Sequence, residues 1–276
     1  MAQALAVARY TLLELTRRRL IVVIIAVGVV LMGGIAITPH VLPGVTSGTD
    51  TVIVVLNGLA GVVPSAVTLC AFAVGMTVIN HDLDSGAVVS IFAKPVPRSS
   101  YTFGKLLAAL SLLLVIVGIF TVGSLLVVAA NGGSAYDVVW WTCAALAANI
   151  VLLMLLVMVL TVYLNNVIAA AIVLVFNFAA GQVITLHAMV VHNVITDAVA
   201  KGIVNVAYWS VPHELTSDLQ RQILQMQINI GEVRFAGESP LDRLPNASGT
   251  VDVAFWFAYV VAICLVLFWS VRRKQV

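Results

Sequence analysis

Charge is what this chain has least of. Only 9% of its 276 residues are Asp, Glu, Lys or Arg, against 62% hydrophobic, and the mean hydropathy is +1.10. So little charge excludes an ordinary soluble domain. Cysteine is nearly as scarce. Cys70, Cys143 and Cys264 each fall inside an apolar run with no CxxC pair, which leaves neither a disulfide framework nor a metal knuckle. A phosphate-binding loop is also missing. Gly104-Lys105 is followed by Leu106 and has Ser99 where the first glycine belongs, whereas GxxxxGK[ST] needs both glycines and the hydroxyl to hold phosphate and magnesium. The chain therefore carries no nucleotide motif, and no catalytic residue is expected in it. No small-residue cleavage site follows Arg17-Arg18-Arg19, so the first apolar run reads as a retained helix rather than a removable leader. Finally, no acid or base stands in the middle of an apolar run, and Asp252 lies at the edge of the last. That argues against the ionisable relay of a proton-coupled carrier.

What is present in quantity is apolar sequence. Six runs, 20–37, 59–79, 106–129, 138–163, 167–186 and 251–271, are each long enough to cross a hydrocarbon core of about 30 Å as a helix. They are continuous rather than alternating, which excludes a β-barrel, and lipid leaves backbone groups no partner but their own helix. The expected fold is an all-α polytopic membrane protein, one transmembrane domain over 1–276. Residues 1–19 place Leu5, Ala8, Leu12 and Leu15 at helical spacing before Arg17, Arg18 and Arg19, the pattern of an amphipathic helix on the membrane surface. Residues 38–50, with two prolines and two glycines, predict an irregular loop. Pro64 predicts a break or kink in the second span. Residues 164–166 predict a tight turn. The segment 187–250 is the only sizeable stretch between spans. Its Ser217-Asp218-Leu219-Gln220 resembles a capping box opening a helix over 217–230, so helical hairpins at the membrane surface are expected there. No internal repeat is visible, which argues against an inverted-repeat carrier.

The few charges are sorted. In a six-span topology one side holds Arg9, Arg17, Arg18, Arg19, Lys94, Arg98, Lys105, Arg272, Arg273 and Lys274. The other holds Lys201, Arg221, Arg234 and Arg243, all in the long segment, together with most of the acids. The bias places both termini in the cytoplasm. It gives a multi-pass protein of the inner (plasma) membrane, in contact with lipid and not with nucleic acid.

The richest polar patch, NHDLDSGAVVSIFAKPVPRSSYTFGK, fills the connection 80–105. Ser85 to Ala93 forms a short apolar helix candidate with acids before it and cations after it, an order that suits the helix dipole. Pro95 ends it, and Ile91 and Phe92 would face a partner. This connection resembles that of the membrane subunit of type 2 ABC transporters, the exporter-like permeases. The shared features are an acidic pair and glycine (Asp82, Asp84, Gly86), a Pro-x-x-Arg-like close (Lys94, Pro95, Arg98), and then Gly104-Lys105. The surface helix, the six spans and the long connection before the last span also match. Asp82 stands where glutamate is frequent in that family, and Ala87 where threonine is. The resemblance implies that 80–105 is a coupling loop docking on a cytoplasmic ATPase. Asp82, Asp84, Gly86, Ile91, Phe92, Lys94, Pro95, Arg98 and Lys105 would then transmit its motion. It further implies two ATPase chains holding ATP and magnesium, a second permease copy, and export of a hydrophobic or amphipathic substrate, with no cofactor in this chain. Two alternatives stay open. One is a mechanical transmitter acting on an extracytoplasmic partner through 187–250. The other is a carrier or membrane enzyme that needs no ATPase.

Other chemistry is thin. His213-Glu214-Leu215-Thr216-Ser217 begins like HExxH but has serine in place of the second zinc ligand. His187 and His192 are five apart, a poor spacing for one helical face. Within the spans, Asn149, Asn177 and Gln182 need partners. They serve either interhelical hydrogen bonds or a substrate path. Asn177 and Gln182 lie about 140° apart around a helix.

Overall fold

The computed structural model describes residues 2–41, 48–79, 97–133, 136–212, 214–216 and 248–273. Most of these residues are helical, with no strand among them. The helices are α1 (Ala2–Thr16), α2 (Arg19–Val41), α3 (Gly48–Val78), α4 (Arg98–Ala130), α5 (Tyr136–Tyr163), α6 (Asn166–Val191), α7 (Ala198–Ser210) and α8 (Thr250–Arg273). Six of them, all but α1 and α7, are long and apolar enough to cross a membrane. The chain is thus a polytopic helical membrane protein in architecture.

Residue chemistry explains where the helices stop. Pro97 precedes α4 with extended dihedrals (φ −64°, ψ 136°), so the chain enters the helix at Arg98. Its end is a Schellman closure. Gly132 takes φ +72°, Gly133 N–H donates to the Val128 carbonyl and Gly132 N–H to that of Ala129. The Asn165 side chain caps α6 by accepting from Val167 N–H, which makes 164–166 the expected tight turn. At the other end of α6, Asn193 takes the left-handed conformation (φ 57°) and Val194 N–H closes back on the Met189 carbonyl.

Two expectations are corrected. The stretch 38–50 is not all loop. α2 runs through Pro39 to Val41 and α3 begins at Gly48, and Asn131 Nδ2 donates to the Ala36 carbonyl near the α2 end. Pro64 does not break its helix, since α3 is continuous from Gly48 to Val78.

The core lies among α3, α4 and α5. Val67, Cys70, Ala71 and Val74 of α3 meet Leu113, Ile116 and Phe120 of α4 and Met154, Val157 and Met158 of α5, all fully or nearly fully buried. Small residues set the spacing. A Cβ on Gly75 would lie 3.1 Å from the Met154 carbonyl oxygen, the close backbone approach typical of membrane helices. Buried hydroxyls bond back to their own helix, as Ser124 does to the Phe120 carbonyl. α2, α6 and α8 flank this core and turn apolar side chains outward; in α8 only 6% of the most apolar stretch is buried. Trp140 and Trp141 near the start of α5 and Trp269 near the end of α8 are exposed, as belts at the two hydrocarbon boundaries would be. The α5 and α8 ends meet where Tyr163 bonds Ser270 through their hydroxyls at 2.8 Å.

Candidate functional site

Two polar constructions occupy opposite ends of the bundle. At the end carrying the N-terminus and the α8 C-terminus, α1 lies along the first turns of α4. Its seat is made by Gly104, where an added Cβ would lie 2.6 Å from the Ala4 carbonyl oxygen and 2.8 Å from Val7 Cβ. The stripe α1 buries is Ala4, Ala8, Thr11 and Leu15, spaced four, three and four residues apart. Of the expected apolar stripe, Ala8 and Leu15 are buried against the protein, Leu12 is partly buried and Leu5 is 64% exposed. α1 keeps Leu5, Tyr10 and Leu13 turned away from the bundle.

One turn of α4 beyond Tyr101, Lys105 is 2% exposed. Its Nζ lies 4.0 Å from Glu14 Oε2 and 5.8 Å from the Tyr101 ring centroid. Glu14 Oε1 accepts from Arg18 Nη2 at 2.7 Å. One carboxylate thus joins the end of α1, the turn into α2 and the base of α4. Lys105 points inward to the chain's own N-terminal helix. Of the other residues expected in the coupling loop, Arg98 opens α4 as its first residue, while Asp82, Asp84, Gly86, Ile91, Phe92, Lys94 and Pro95 lie outside the described residues. Arg17 and Arg19 are exposed beside the paired Arg18. A cleft of about 970 Å³ opens nearby between Pro97 and Ser99 at the start of α4 and Phe268, Trp269 and Arg272 of α8.

At the far end, α7 folds back after a turn capped by Asp197, whose carboxylate accepts from Val199 and Ala200 N–H. Val211 takes extended dihedrals after α7, and Pro212 and Glu214 of the segment that follows lie between α5 and α6. Asn149 in α5 grips it with both ends of its amide: Nδ2 donates to the Leu215 carbonyl at 2.8 Å, and Leu215 N–H donates to Oδ1 at 2.7 Å. Asn177 in α6 hydrogen-bonds the Glu214 carboxyl, and burial pushes that carboxyl above its ordinary range despite this bond. Asn149, Asn177 and Glu214 line one small internal cavity. Gln182 is exposed on α6 and belongs to no such arrangement. Two of the three span amides are thus brought together, and what they hold is a segment from outside the spans.

The same segment borders a second cavity of about 410 Å³, between α6, α7 and the start of α8. His187 stacks on Tyr208 with centroids 3.8 Å apart, and the Tyr208 hydroxyl donates to Asp252 Oδ1 at 3.0 Å. Burial and the Asp252 carboxylate together push the Tyr208 hydroxyl well above its usual titration. Asp252 Oδ2 also accepts from Gly249 N–H at 2.7 Å, a capping interaction at the α8 N-terminus. Tyr259 donates to the Trp209 carbonyl, fixing α7 against α8. Thr216 N–H donates to Ser248 Oγ and Ser248 N–H to the Thr216 carbonyl, so the stretch 217–247 leaves and returns at one point. The helix expected over 217–230 lies outside the described residues.

Sequence reasoning missed Glu14, Tyr208 and above all Glu214. The last was visible only as half of a failed zinc motif. Its one signal was an acid in the connection before the last span, in a chain whose spans carry asparagines in need of partners. No group of three His, Cys, Asp or Glu among the described residues is placed to hold a metal. A scan against models of protein families finds no match for this chain, and neither does a search of curated proteins.

Proposed function

We propose that this chain is the membrane-spanning subunit of an ATP-driven exporter of the type 2 ABC class. It would work as a pair of copies with two cytoplasmic ATPase chains, in an inner membrane with both termini in the cytoplasm. The observation that carries the reading is the α1–α4 clamp. The connection with the coupling-loop pattern continues in sequence into α4, and α4 is locked to α1 by Gly104 and by the Lys105–Glu14–Arg18 group. A push on the connection then moves α1 and the third span as one body, and α4 passes through the middle of the core. The sorted basic residues support the orientation. The apolar outer faces of α2, α6 and α8 suit lipid and a second copy. Nucleotide supplies the drive by binding the closed and open states differently.

Purification of the tagged chain from its native membrane in mild detergent, with mass spectrometry, tests this. A stoichiometric P-loop ATPase should accompany the wild type and be lost from Arg98→Glu, which still inserts. A chain that purifies folded and alone across several detergents would sink the reading.

The closure at Thr216 and Ser248 favours the transmitter as a second reading, because it roots a 217–247 excursion on a braced base. Replacing 217–247 by a short Gly-Ser link, which the adjoining ends permit, separates the two. An exporter keeps its ATPase and its transport. A transmitter keeps its ATPase and loses an extracytoplasmic partner.

A further inference from the structure

The far-end chamber is of a size that suits a small-molecule site. Ile184 and Val191 of α6 give it an apolar side. Tyr208 and Trp209 of α7 give it aromatic rings, set edge to face at 5.1 Å, with Trp209 also leaning on Phe255 at 4.6 Å. Two carboxylates complete the lining, Glu214 from the gripped segment and Asp252 from α8. Among the described residues no lysine or arginine lines it. Lys201, the nearest in sequence among the described residues, donates instead to Asn193 in the turn before α7. Acid and aromatic faces around one concavity attract a cation with an apolar body, since both the charges and the ring quadrupoles favour it.

We infer that this chamber binds a lipophilic organic cation, with the Glu214 carboxylate as counter-ion and the Tyr208 and Trp209 rings holding the apolar body. Asp252 adds field and fixes Tyr208. The inference deepens the exporter reading by giving its cargo a charge, and it rests on that reading for this meaning. As a binding site it can be tested without any ATPase.

The test is equilibrium dialysis of tetraphenylphosphonium against the full chain in nanodiscs of uncharged phosphatidylcholine, with empty nanodiscs subtracted. One saturable site per chain is expected. Glu214→Gln, which keeps shape and the bond to Asn177, should weaken it at least about tenfold, the worth of a charge-assisted contact. Tetraphenylborate, matched in shape and opposite in charge, should show no saturable site. Wild-type affinity should fall as pH is lowered through the raised titration of Glu214. His187, Tyr208 and Asp252 are the other titratable groups facing the chamber. Protonating His187 acts in the same direction, so only the part of the pH dependence absent from Glu214→Gln belongs to Glu214. No saturable binding, equal binding of the borate, or an unchanged affinity in Glu214→Gln overturns the inference. Should that variant not fold, the borate comparison decides alone. An ATPase partner found without cation binding sinks this inference only; cation binding without an ATPase sinks only the exporter reading.

Discussion

Gly104→Val should release α1 from the bundle. The added Cβ would stand 2.6 Å from the Ala4 carbonyl oxygen and 2.8 Å from Val7 Cβ. The first obstacle is backbone, so it cannot be cleared by turning a side chain. α1 must retreat by most of an ångström to reach ordinary contact, and the part of its stripe beside Gly104 is too small-sided to follow. Ala4, Ala8 and Thr11 fill only a shallow interface there, which a gap of that size weakens, while Leu15 packs further along the helix. A helix of 15 residues is marginal without its packing partner. Overpacking of this kind costs about 3 kcal/mol, near the upper end of its range because backbone is struck, or about a hundredfold in the opening equilibrium. Hydrogen exchange reads it directly. Amides of α1 should lose protection about a hundredfold, while those of α4 within the core keep theirs. Gly104→Ala carries the same Cβ and should move the same way. Wild-type protection of α1 in Gly104→Val would remove the clamp and, with it, the main support for coupled motion of α1 and the third span.

That clamp also shows which parts of the molecule are legible in sequence. The six spans are, because lipid demands continuous apolar runs and nothing else in the chain supplies them. Their ends are less so. The run starting at Leu106 is preceded by Tyr101, Thr102, Phe103, Gly104 and Lys105, which look like loop by composition. They are helical because α1 covers them, a contact between residues some ninety apart in sequence. Pro39 and Pro64 look like breaks by local rules, yet neither ends its helix. A proline leaves one carbonyl without its helical donor, and the neighbourhood or water can accept that loss. The reading of 1–19 as a helix with Leu5, Ala8, Leu12 and Leu15 on one side placed the helix and two residues of its buried stripe, Ala8 and Leu15, but periodicity could not say that α4 would cover that stripe. Close approach to α4 at Gly104 accounts for Ala4 and Ala8 in the stripe that is buried there. The far-end site is the least legible. Asn149 and Leu215 are 66 residues apart, and periodicity can place an asparagine on a helix face without saying what will reach it. Charge counting gave the spans no acid; it could not see one delivered from an adjoining segment.

Asn149→Ala should free that delivered acid. Both bonds from the Asn149 amide end on Leu215 backbone atoms, and alanine leaves that N–H and carbonyl without them. Two such losses cost about 2 kcal/mol, less than the fully buried figure because the site is only partly enclosed. That is about thirtyfold in local opening. Thr216→Cys, placed in the same segment, should then react about thirtyfold faster with a membrane-impermeant maleimide when Asn149→Ala is added, under conditions where opening limits the reaction. Glu214 supplies an independent readout. Burial holds its carboxyl above the ordinary range in the folded chain, so folding favours the protonated form. The resulting destabilisation is absent below the ordinary glutamate range, sets in as pH rises through it, and is complete above the raised value. Wild-type stability should therefore decline across that window. Asn149→Ala, by letting Glu214 reach water, should flatten the decline, and Glu214→Gln should abolish it. Equal labelling rates with an unchanged pH slope in Asn149→Ala would mean that the two Asn149 bonds do not hold the segment, leaving packing and the Asn177–Glu214 bond to keep it between α5 and α6.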